Sequence, residues 1–573
     1  MLTAVRKRTE LGKRRKMFTK FKNALINAVG GTEPLEYVES HKANGIFKYE
    51  YSRPGFLKFS EEEVNAASDT RVRPLILPRD VEFPFKAGYC ECINAGKSKH
   101  NEDQGAYWRR TLVPKWWTAR KSTESAKRSD SSAVASQPYD IDHSTYTDLF
   151  KSETGSVDPG SGDAGDDPTL TYTVFSIFDG HGGPMVAVTA AKELEEILHK
   201  KLEQVADLLV PDPDPEAAET EAEHRKGGVK YQIDFRKPVD PSRLIVGALE
   251  CSFKEMDKKI GEDKENYKVK GGCTALVVLF ILGKVYTACA GDSRAIVAVG
   301  SSVEPLSRDH TPTSERARIC NVGFQKPFLL KNDYTPNEYH RRPTIHDLGK
   351  RILYRDPEGF GYSYRIVESE DLKMPLISGS GKRARLMGTI GVTRGFGDHE
   401  LKALGSTLSI KPFLSPVPEI RILEISRLEL TGADVIIMGS DGLFDVTTNK
   451  QAVTVVRNSF DKISNSDDRK YMCAAQDLVN YARGKPTSAR SWKKNDGDPA
   501  SGDDITAWVL PLFPYQTEHN RWYFNLSSHQ KDNLRNCNVK FFIDSDGERL
   551  PITGAEDCLL SDNEDSNSLS YLQ

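Results

Sequence analysis

Acidic residues at the ends of apolar, β-branched runs constrain the fold of this chain more than any other feature of its sequence. Four short segments carry them, far apart along the 573 residues: Asn101–Asp103, Phe178–Gly183, Asp441–Asp445 and Ser501–Thr506. Tyr172–Phe178 precedes the second segment, Val435–Met438 precedes the third, and Ile505–Leu510 follows the fourth. Such runs are typical of buried strands. Carboxylates at strand ends, with one His and few Cys nearby, suit oxygen-loving cations such as Mg²⁺ or Mn²⁺.

Three further motifs complete an ordered set: Gly271–Ala275, Ala290–Ala295 and Gly391–Asp398. Together with the acidic segments they resemble the signature of the metal-dependent type 2C (PPM-type) protein serine/threonine phosphatases, from about Ala87 to Leu512. Three segments are most similar to the H, J and M subgroup of that family: Ile93–Lys97, Leu348–Lys350 and Ser501–Asp504. The resemblance implies an α+β fold, a four-layer αββα sandwich of two antiparallel sheets flanked by helices, with an inserted flap subdomain.

Composition and charge argue against several other classes of protein. A net charge of −3 at pH 7 gives no reason to expect nucleic acid as a partner. Nine cysteines without regular spacing predict reduced core thiols, and therefore a reducing compartment. No apolar run approaches the roughly 18 residues of a membrane-spanning helix, and no secretory signal is evident. The subunit number stays open, a homodimer included.

The sequence divides into four predicted parts: a basic amphipathic helix at 1–31, an N-terminal extension at 32–85, a phosphatase domain at 86–514 and a polar C-terminal tail at 515–573. Three stretches interrupt the domain: flexible insertions at 109–167 and 211–235, and an aromatic, basic flap subdomain at 319–385. Apolar periodicity predicts helices at 184–209 and 240–260. Strands are predicted at 274–282, 283–290 and 295–299, the first two antiparallel.

The first 31 residues predict a helix that binds a membrane surface. Met17, Phe18, Phe21 and Leu25 recur at helical spacing among basic residues. A helix docked on the core, a nuclear localisation signal and a mitochondrial presequence are the alternatives. With the subgroup resemblance, we expect a cytoplasmic protein that is peripheral on Golgi or vesicle membranes, the nucleus being the alternative location.

The resemblance implies a pair of Mg²⁺ or Mn²⁺ ions and assigns ligands to each. Asp179 would bridge the pair, and the Gly180 carbonyl would be a second ligand on one ion. Glu102 would hold the same ion through its water shell, with Asp103 supporting that shell. Two ions of this kind lower the pKa of a shared water and neutralise the phosphoryl oxygens. We therefore expect direct attack by a metal-bridging hydroxide, without a phosphoenzyme.

The remaining acids are assigned to the other ion and to a third, weaker position. Asp441 and Asp503 match ligands of the second ion. Asp292 and Asp445 match residues that contribute to the third position. Asp504 stands where the family has Asn, so Asp503 and Asp504 could exchange roles.

Proton transfer and phosphate binding fall to a histidine and two lysines. His181, beside the bridging Asp179, is the candidate general acid, because an imidazole pKa near about 6.5 suits protonation of a departing alkoxide. Ser98 occupies the position of the family's phosphate-binding Arg. We expect Lys97, and after it Lys99, to bind phosphate in its place, although lysine lacks the planar fork of arginine.

The resemblance also implies a class of substrate. The flap is expected to select it through four basic residues: Arg341, Arg342, Lys350 and Arg351. Phosphorylated Rab-type small GTPases are the substrates that the subgroup suggests. A catalytically weak scaffold, motivated by the missing Arg, and a phosphatase of non-protein esters are the competing hypotheses.

Overall fold

The computed structural model describes residues 53–98, 100–121, 169–212, 238–262, 270–359, 361–464, 467–488, 491–534 and 537–538. The segment 1–31, Lys99 and most of both predicted flexible insertions lie outside these residues. The N-terminal helix and its membrane role therefore stay predictions. In the described part of the chain, no helix combines the length and apolar character that crossing a membrane requires.

Two antiparallel sheets form the centre of the molecule. The first has five strands in the order β1 (Gly88–Cys92), β22 (Ile505–Pro511), β19 (Val435–Gly439), β8 (Arg294–Val299) and β9 (Ser302–Pro305). The second follows the order β17 (Phe396–Gly397), β5 (Gly272–Cys273), β3 (Leu170–His181), β6 (Ala275–Ile281), β7 (Lys284–Ala290) and β18 (Glu419–Glu424). Its seventh strand, β2 (Asp103–Leu112), pairs with β3.

Helices cover the outer faces of both sheets. The described part of the chain contains, in chain order, α1 (Glu61–Ala67), α2 (Met185–Gln204), α3 (Ala206–Leu209), α4 (Pro241–Glu262), α5 (Arg316–Gln325), α6 (Asp441–Phe444), α7 (Asn449–Phe460), α8 (Lys470–Arg483), α9 (Phe513–Phe524) and α10 (Ser528–Asn533). The apolar faces of α2 and α4 pack on the seven-stranded sheet. Those of α7 and α8 pack on the five-stranded sheet. The predicted four-layer αββα sandwich is confirmed.

The strand β6 illustrates why these sequences form buried strands. All seven of its residues are buried, because both faces of its sheet are covered. Val277 and Leu279 face the helices, whereas Leu276 and Val278 face the other sheet. Trp508 lies between the two sheets and donates a hydrogen bond from Nε1 to the Ser176 carbonyl at 3.2 Å. Alternation along an all-apolar strand thus divides it between two cores.

The predicted helices and strands of the central region are confirmed. The stretch 184–209 forms α2 and α3, and the stretch predicted at 240–260 forms α4, which begins at Pro241. Strands β6 and β7 pair antiparallel, as the short turn between them predicted.

The flap forms a small unit with its own core. It contains α5 and the strands β10 (Tyr334–Thr335), β11 (Glu338–Tyr339), β12 (Arg351–Arg355), β13 (Tyr362–Ile366), β14 (Met374–Pro375), β15 (Ile377–Ser378) and β16 (Arg385–Leu386). Its buried cluster includes Ile319, Leu330 and Leu376, and continues to Phe413 and Leu414. The unit therefore extends beyond the predicted end at residue 385.

The predicted start of the catalytic domain at residue 86 is wrong. Leu57, Ile76 and Phe83 belong to the core between the sheets. Ile76 also pairs with Glu91 of β1 through two backbone hydrogen bonds. The composition before residue 86 is rich in Arg and Pro, and its apolar residues form only short groups such as Leu75–Leu77, which did not indicate a domain core.

Two other predicted boundaries also need correction. Strand β2 continues to Leu112, so the insertion predicted from Arg109 begins later, and residues 115–121 are helical. The predicted polar tail begins with α9, whose Tyr515 is buried in the central core. Further on, β23 (Cys537–Asn538) pairs with β4 (Pro238–Val239). The remaining pair of strands, β20 (Lys485–Ser488) and β21 (Ser491–Lys493), forms a hairpin before the last acidic segment.

Candidate metal centre and active site

The strand ends that carry the predicted acids meet at one end of the two sheets. Asp103 opens β2 directly opposite Asp179, near the end of β3. Asp441 is the first residue of α6, just after β19, and Asp503 lies just before β22. Because β19 and β22 are antiparallel neighbours, the end of one lies beside the start of the other. Residues more than 300 positions apart in sequence are thereby gathered in one place.

Three carboxylates form a compact cluster there. One oxygen from each of Asp179, Asp292 and Asp441 lies within 4.8 Å of the others. Burial, followed by repulsion from Asp441, raises the pKa of Asp179 well above its usual range. Burial and then Asp292 raise the pKa of Asp441 to about 8. Burial is also the main cause that raises the pKa of Asp292 to about 6. Crowded, partly buried carboxylates with oxygen donors alone fit a hard divalent cation.

The structure distinguishes between the two adjacent acids before β22. Asp504 is buried and uses both of its oxygens within the protein. Its Oδ1 accepts from the Asn94 backbone N–H at 2.6 Å, and its Oδ2 accepts from the Glu102 N–H at 3.0 Å. Asp503 is instead partly exposed and forms an ion pair with Lys97. Although its Oδ1 accepts from the Asp504 N–H at 3.1 Å, Asp503 is the more exposed of the two acids and therefore the more accessible to a metal ion.

Glu102 and Asp103 hold the loop that follows β3. The Glu102 Oε1 accepts from the Gly183 N–H at 2.7 Å, and the Glu102 carbonyl accepts from the Gly180 N–H at 3.1 Å. A Cβ at Gly180 would lie 2.5 Å from that carbonyl oxygen, so this close approach requires glycine. Asp103 is buried and accepts from the Thr506 hydroxyl at 2.8 Å. These bonds fit the supporting role predicted for Asp103.

His181 is held by an acid that the sequence analysis missed. The His181 Nε2 lies 2.7 Å from Oδ2 of Asp398, which is almost fully buried. Burial lowers the pKa of His181, but the Asp398 carboxylate outweighs this effect and raises it. Asp398 ends the motif Gly391–Asp398, whose final acid was a usable signal although no role was assigned to it.

Comparison with known proteins agrees with this geometry. The family model described as Protein phosphatase 2C matches residues 215–326 and 367–490. Human Protein phosphatase 1H is 36% identical over 527 residues, which cover 87% of this chain and 99% of that protein. This chain belongs to the protein phosphatase 2C family. Human Protein phosphatase 1J is 36% identical over 495 residues, covering 84% and 88% of the two chains.

As a member of this family, the chain is a metal-dependent protein serine/threonine phosphatase. Residues 327–366 fall in the gap between the two matched ranges, which places most of the flap outside the common pattern. A crystal structure of serine-threonine phosphatase 2C from Toxoplasma gondii aligns over 77% of this chain and 99% of its own. The two chains are 16% identical, with a TM-score of 0.38.

The phosphatase lacks the family's arginine at Ser98, and the structure places a lysine beside the cluster. Ser98 stabilises the loop between β1 and β2, because its hydroxyl donates to the His100 carbonyl at 2.5 Å. Burial opposes a charge on Lys97, but Asp503 outweighs it and raises the pKa of the lysine. Lys97 thus lies at the site as a cation. Lys99 lies outside the described residues.

The flap of the phosphatase reaches the acidic cluster through a residue that was not predicted. Lys382 Nζ lies 3.0 Å from Oδ1 of Asp445 and donates to the Asp445 carbonyl at 3.0 Å. The Asp445 N–H in turn donates to the Asp441 carbonyl at 2.7 Å. Asp445 is half exposed, at the rim of the cluster rather than within it.

The four predicted substrate-binding residues lie on the flap without such a contact. Arg341 is bound to Asp347 by two hydrogen bonds of 2.8 and 2.6 Å. Arg342, Lys350 and Arg351 are exposed. Within the described ranges, no hydrogen bond or ion pair joins any of the four to the acidic cluster. Their role in substrate binding stays a prediction.

Proposed function

We propose that this phosphatase hydrolyses phosphoserine and phosphothreonine in proteins by direct attack of water, with a pair of Mg²⁺ or Mn²⁺ ions held by Asp179, Asp441 and Asp503. The convergence of Asp179, Asp292 and Asp441 oxygens within 4.8 Å carries the proposal. When bound, such ions activate water and neutralise the phosphoryl oxygens. Asp292 and Asp445 are proposed to hold a third ion more weakly.

In this proposal the protein supplies the proton for the leaving group. Cleavage of the phosphate ester leaves a serine or threonine alkoxide, which is a strong base and needs a proton. Asp398 binds Nε2 of His181 and holds the ring in one orientation. The proton therefore comes from Nδ1. The charged ammonium group of Lys97 is proposed to attract the phosphate.

The cysteines support attack by water over a phosphoenzyme. Cys90, Cys273 and Cys289 are fully buried or nearly so. Burial raises the pKa of each of these thiols. A thiol that stays protonated is a poor nucleophile.

We infer that phosphorylated Rab-type small GTPases are the substrates. The resemblance to the H, J and M subgroup supports this class, as does the inserted flap, whose Lys382 touches Asp445. Because the flap contacts the edge of the acidic cluster, a protein substrate would have to fit the flap as well as the metal site. Recruitment to a membrane by residues 1–31 remains part of the proposal and lies outside the described residues.

Substituting Asp292 with Ala should separate capture of the substrate from its turnover. The variant keeps Asp179, Asp441 and Asp503, so phosphate can still bind. Loss of one metal-binding carboxylate should slow turnover by roughly a hundredfold or more. Gel filtration with a phosphorylated Rab-type GTPase should then reveal a stable complex. The unphosphorylated GTPase is the matched control and should elute separately. Equal retention of both forms, or of neither, would count against this substrate class.

A further inference from the structure

We propose that Asp257, on the outer helix α4, is a positioning residue for the general acid, because it fixes the turn that presents Asp398 to His181. The inference rests on the proposed function, in which His181 protonates the leaving group. Asp257 is 6% exposed and lies outside the carboxylate cluster. It acts through Asp398 rather than on the substrate.

Asp257 binds the residues on both sides of Asp398. Its Oδ1 accepts from the Gly397 N–H at 2.9 Å. The His399 Nε2 lies 3.0 Å from the Asp257 carbonyl oxygen and 3.2 Å from its Oδ1. The ring of His399 also packs on Gly261, one turn further along α4, where a Cβ would come within 2.6 Å of it. The last turns of α4 therefore hold the segment 397–399 in place.

The segment adopts a backbone that needs such support. Asp398 has φ +57° and Gly397 has φ +82°, both in the left-handed region. That region is unfavourable for a residue with a Cβ unless other contacts hold it. The Asp398 N–H donates to the Gly271 carbonyl at 2.8 Å. Its carboxylate lies over Gly272, where a Cβ would come within 2.3 Å of Oδ2. Without the hydrogen bonds to Asp257 the turn would relax, and the Asp398 carboxylate would move away from His181.

A lysine balances the buried charge of Asp257. Lys411 Nζ donates to both carboxylate oxygens of Asp257, at 2.8 and 2.9 Å. Burial raises the pKa of Asp257, but His399 and Lys411 outweigh it and lower the pKa overall. The carboxylate is therefore ionised and accepts hydrogen bonds strongly. Such a bonded ion pair holds a defined geometry, which a general acid requires.

The test compares two substrates that differ in their need for a proton. p-Nitrophenolate leaves without protonation, whereas a serine alkoxide does not. With saturating Mn²⁺, Asp257→Ala should lower kcat for a phosphoserine peptide by about thirtyfold, and kcat for p-nitrophenyl phosphate by no more than about threefold. KM for the peptide should change little, because Asp257 does not touch substrate. Asp257→Asn, which keeps an oxygen for the Gly397 N–H, should recover much of the peptide activity.

Two reference variants separate the possible causes. His181→Asn should show the same selectivity for the aryl ester, more strongly. Asp434→Asn is the matched control, a buried carboxylate that accepts backbone hydrogen bonds away from the site, and should affect both substrates equally. If Asp257→Ala lowers kcat equally for both substrates while His181→Asn still affects the peptide more than the aryl ester, the positioning role of Asp257 is overturned and the general acid is not. If His181→Asn lowers kcat equally for both substrates, the role of His181 as the general acid is overturned as well.

A variant with a milder structural effect guards against misfolding. If Asp257→Ala does not fold, Lys411→Gln removes the balancing charge and leaves the Asp257 oxygens in place. It should lower kcat for the peptide by about fivefold more than kcat for p-nitrophenyl phosphate. Equal changes on the two substrates would contradict the positioning role.

Discussion

Replacing Asp441 with Ala should abolish turnover, with kcat/KM for a phosphopeptide falling by about a thousandfold or more. Asp441 contributes one of the three oxygens that lie within 4.8 Å of each other, and its carboxylate is crowded by like charges. Burial and then Asp292 raise its pKa to about 8, because the ionised carboxylate is unfavourable there unless a cation balances its charge. Without it, divalent ions should bind weakly. Titration calorimetry with Mn²⁺ measures this loss directly.

Thermal unfolding distinguishes loss of the ion from loss of the fold. Removing one of several repelling carboxylates should leave the metal-free protein at least as stable as the original. The stabilisation that Mn²⁺ adds, which grows with concentration over its Kd, should shrink in the variant. Asp434→Ala is the matched control, since Asp434 is a buried carboxylate that accepts backbone hydrogen bonds away from the cluster, and should leave the stabilisation by Mn²⁺ unchanged. Near-normal turnover by Asp441→Ala would remove this residue from the ligand set.

Replacing Arg73 with Met should lower the free energy of unfolding by about 3–5 kcal/mol. Arg73 is fully buried, although it lies in the segment first predicted to be outside the domain. Its guanidinium donates to the carbonyls of Ile93 at 2.8 Å, Ser501 at 2.6 Å and Asp503 at 2.7 Å. Methionine fills similar space but leaves these buried acceptors without their donor. Denaturant unfolding measures the change.

The same substitution should weaken metal binding, because Arg73 fixes the backbone of Asp503. Mn²⁺ affinity should therefore fall together with stability. Arg79→Met is the matched control, since Arg79 is exposed and forms a surface ion pair with Glu63. It should leave both quantities near their original values. If Arg73→Met unfolds no more readily than Arg79→Met, the extension is dispensable to the domain.

The family resemblance predicted both the layers and the acids, and the structure gives a common physical reason for them. Fully apolar strands such as β6 must be covered on both faces, which requires helices outside two packed sheets. Acids placed at the ends of such strands must then meet at an edge. The structure brings Asp179 and Asp441, which the resemblance assigned to one metal site, together with Asp292 at such an edge.

Residues whose role depends on distant partners escaped prediction. Arg73 lies in a stretch rich in charge, and its carbonyl partners at Ser501 and Asp503 are more than 400 positions away. Asp257 resembles an ordinary polar residue on an amphipathic helix, because its partners lie in another motif. Asp503 and Asp504 are chemically identical neighbours. Only the hydrogen bonds of Asp504 to Asn94 and Glu102 distinguish them.

The most direct measurement is anomalous diffraction from crystals of the protein grown with Mn²⁺. The proposed ligand set predicts two strong peaks between Asp179, Asp441 and Asp503, each within about 2.5 Å of a carboxylate oxygen or a bound water. Asp504 should keep its bonds to the backbone and touch neither ion. Peaks located away from Asp179, or an ion bound by Asp504 in place of Asp503, would contradict it.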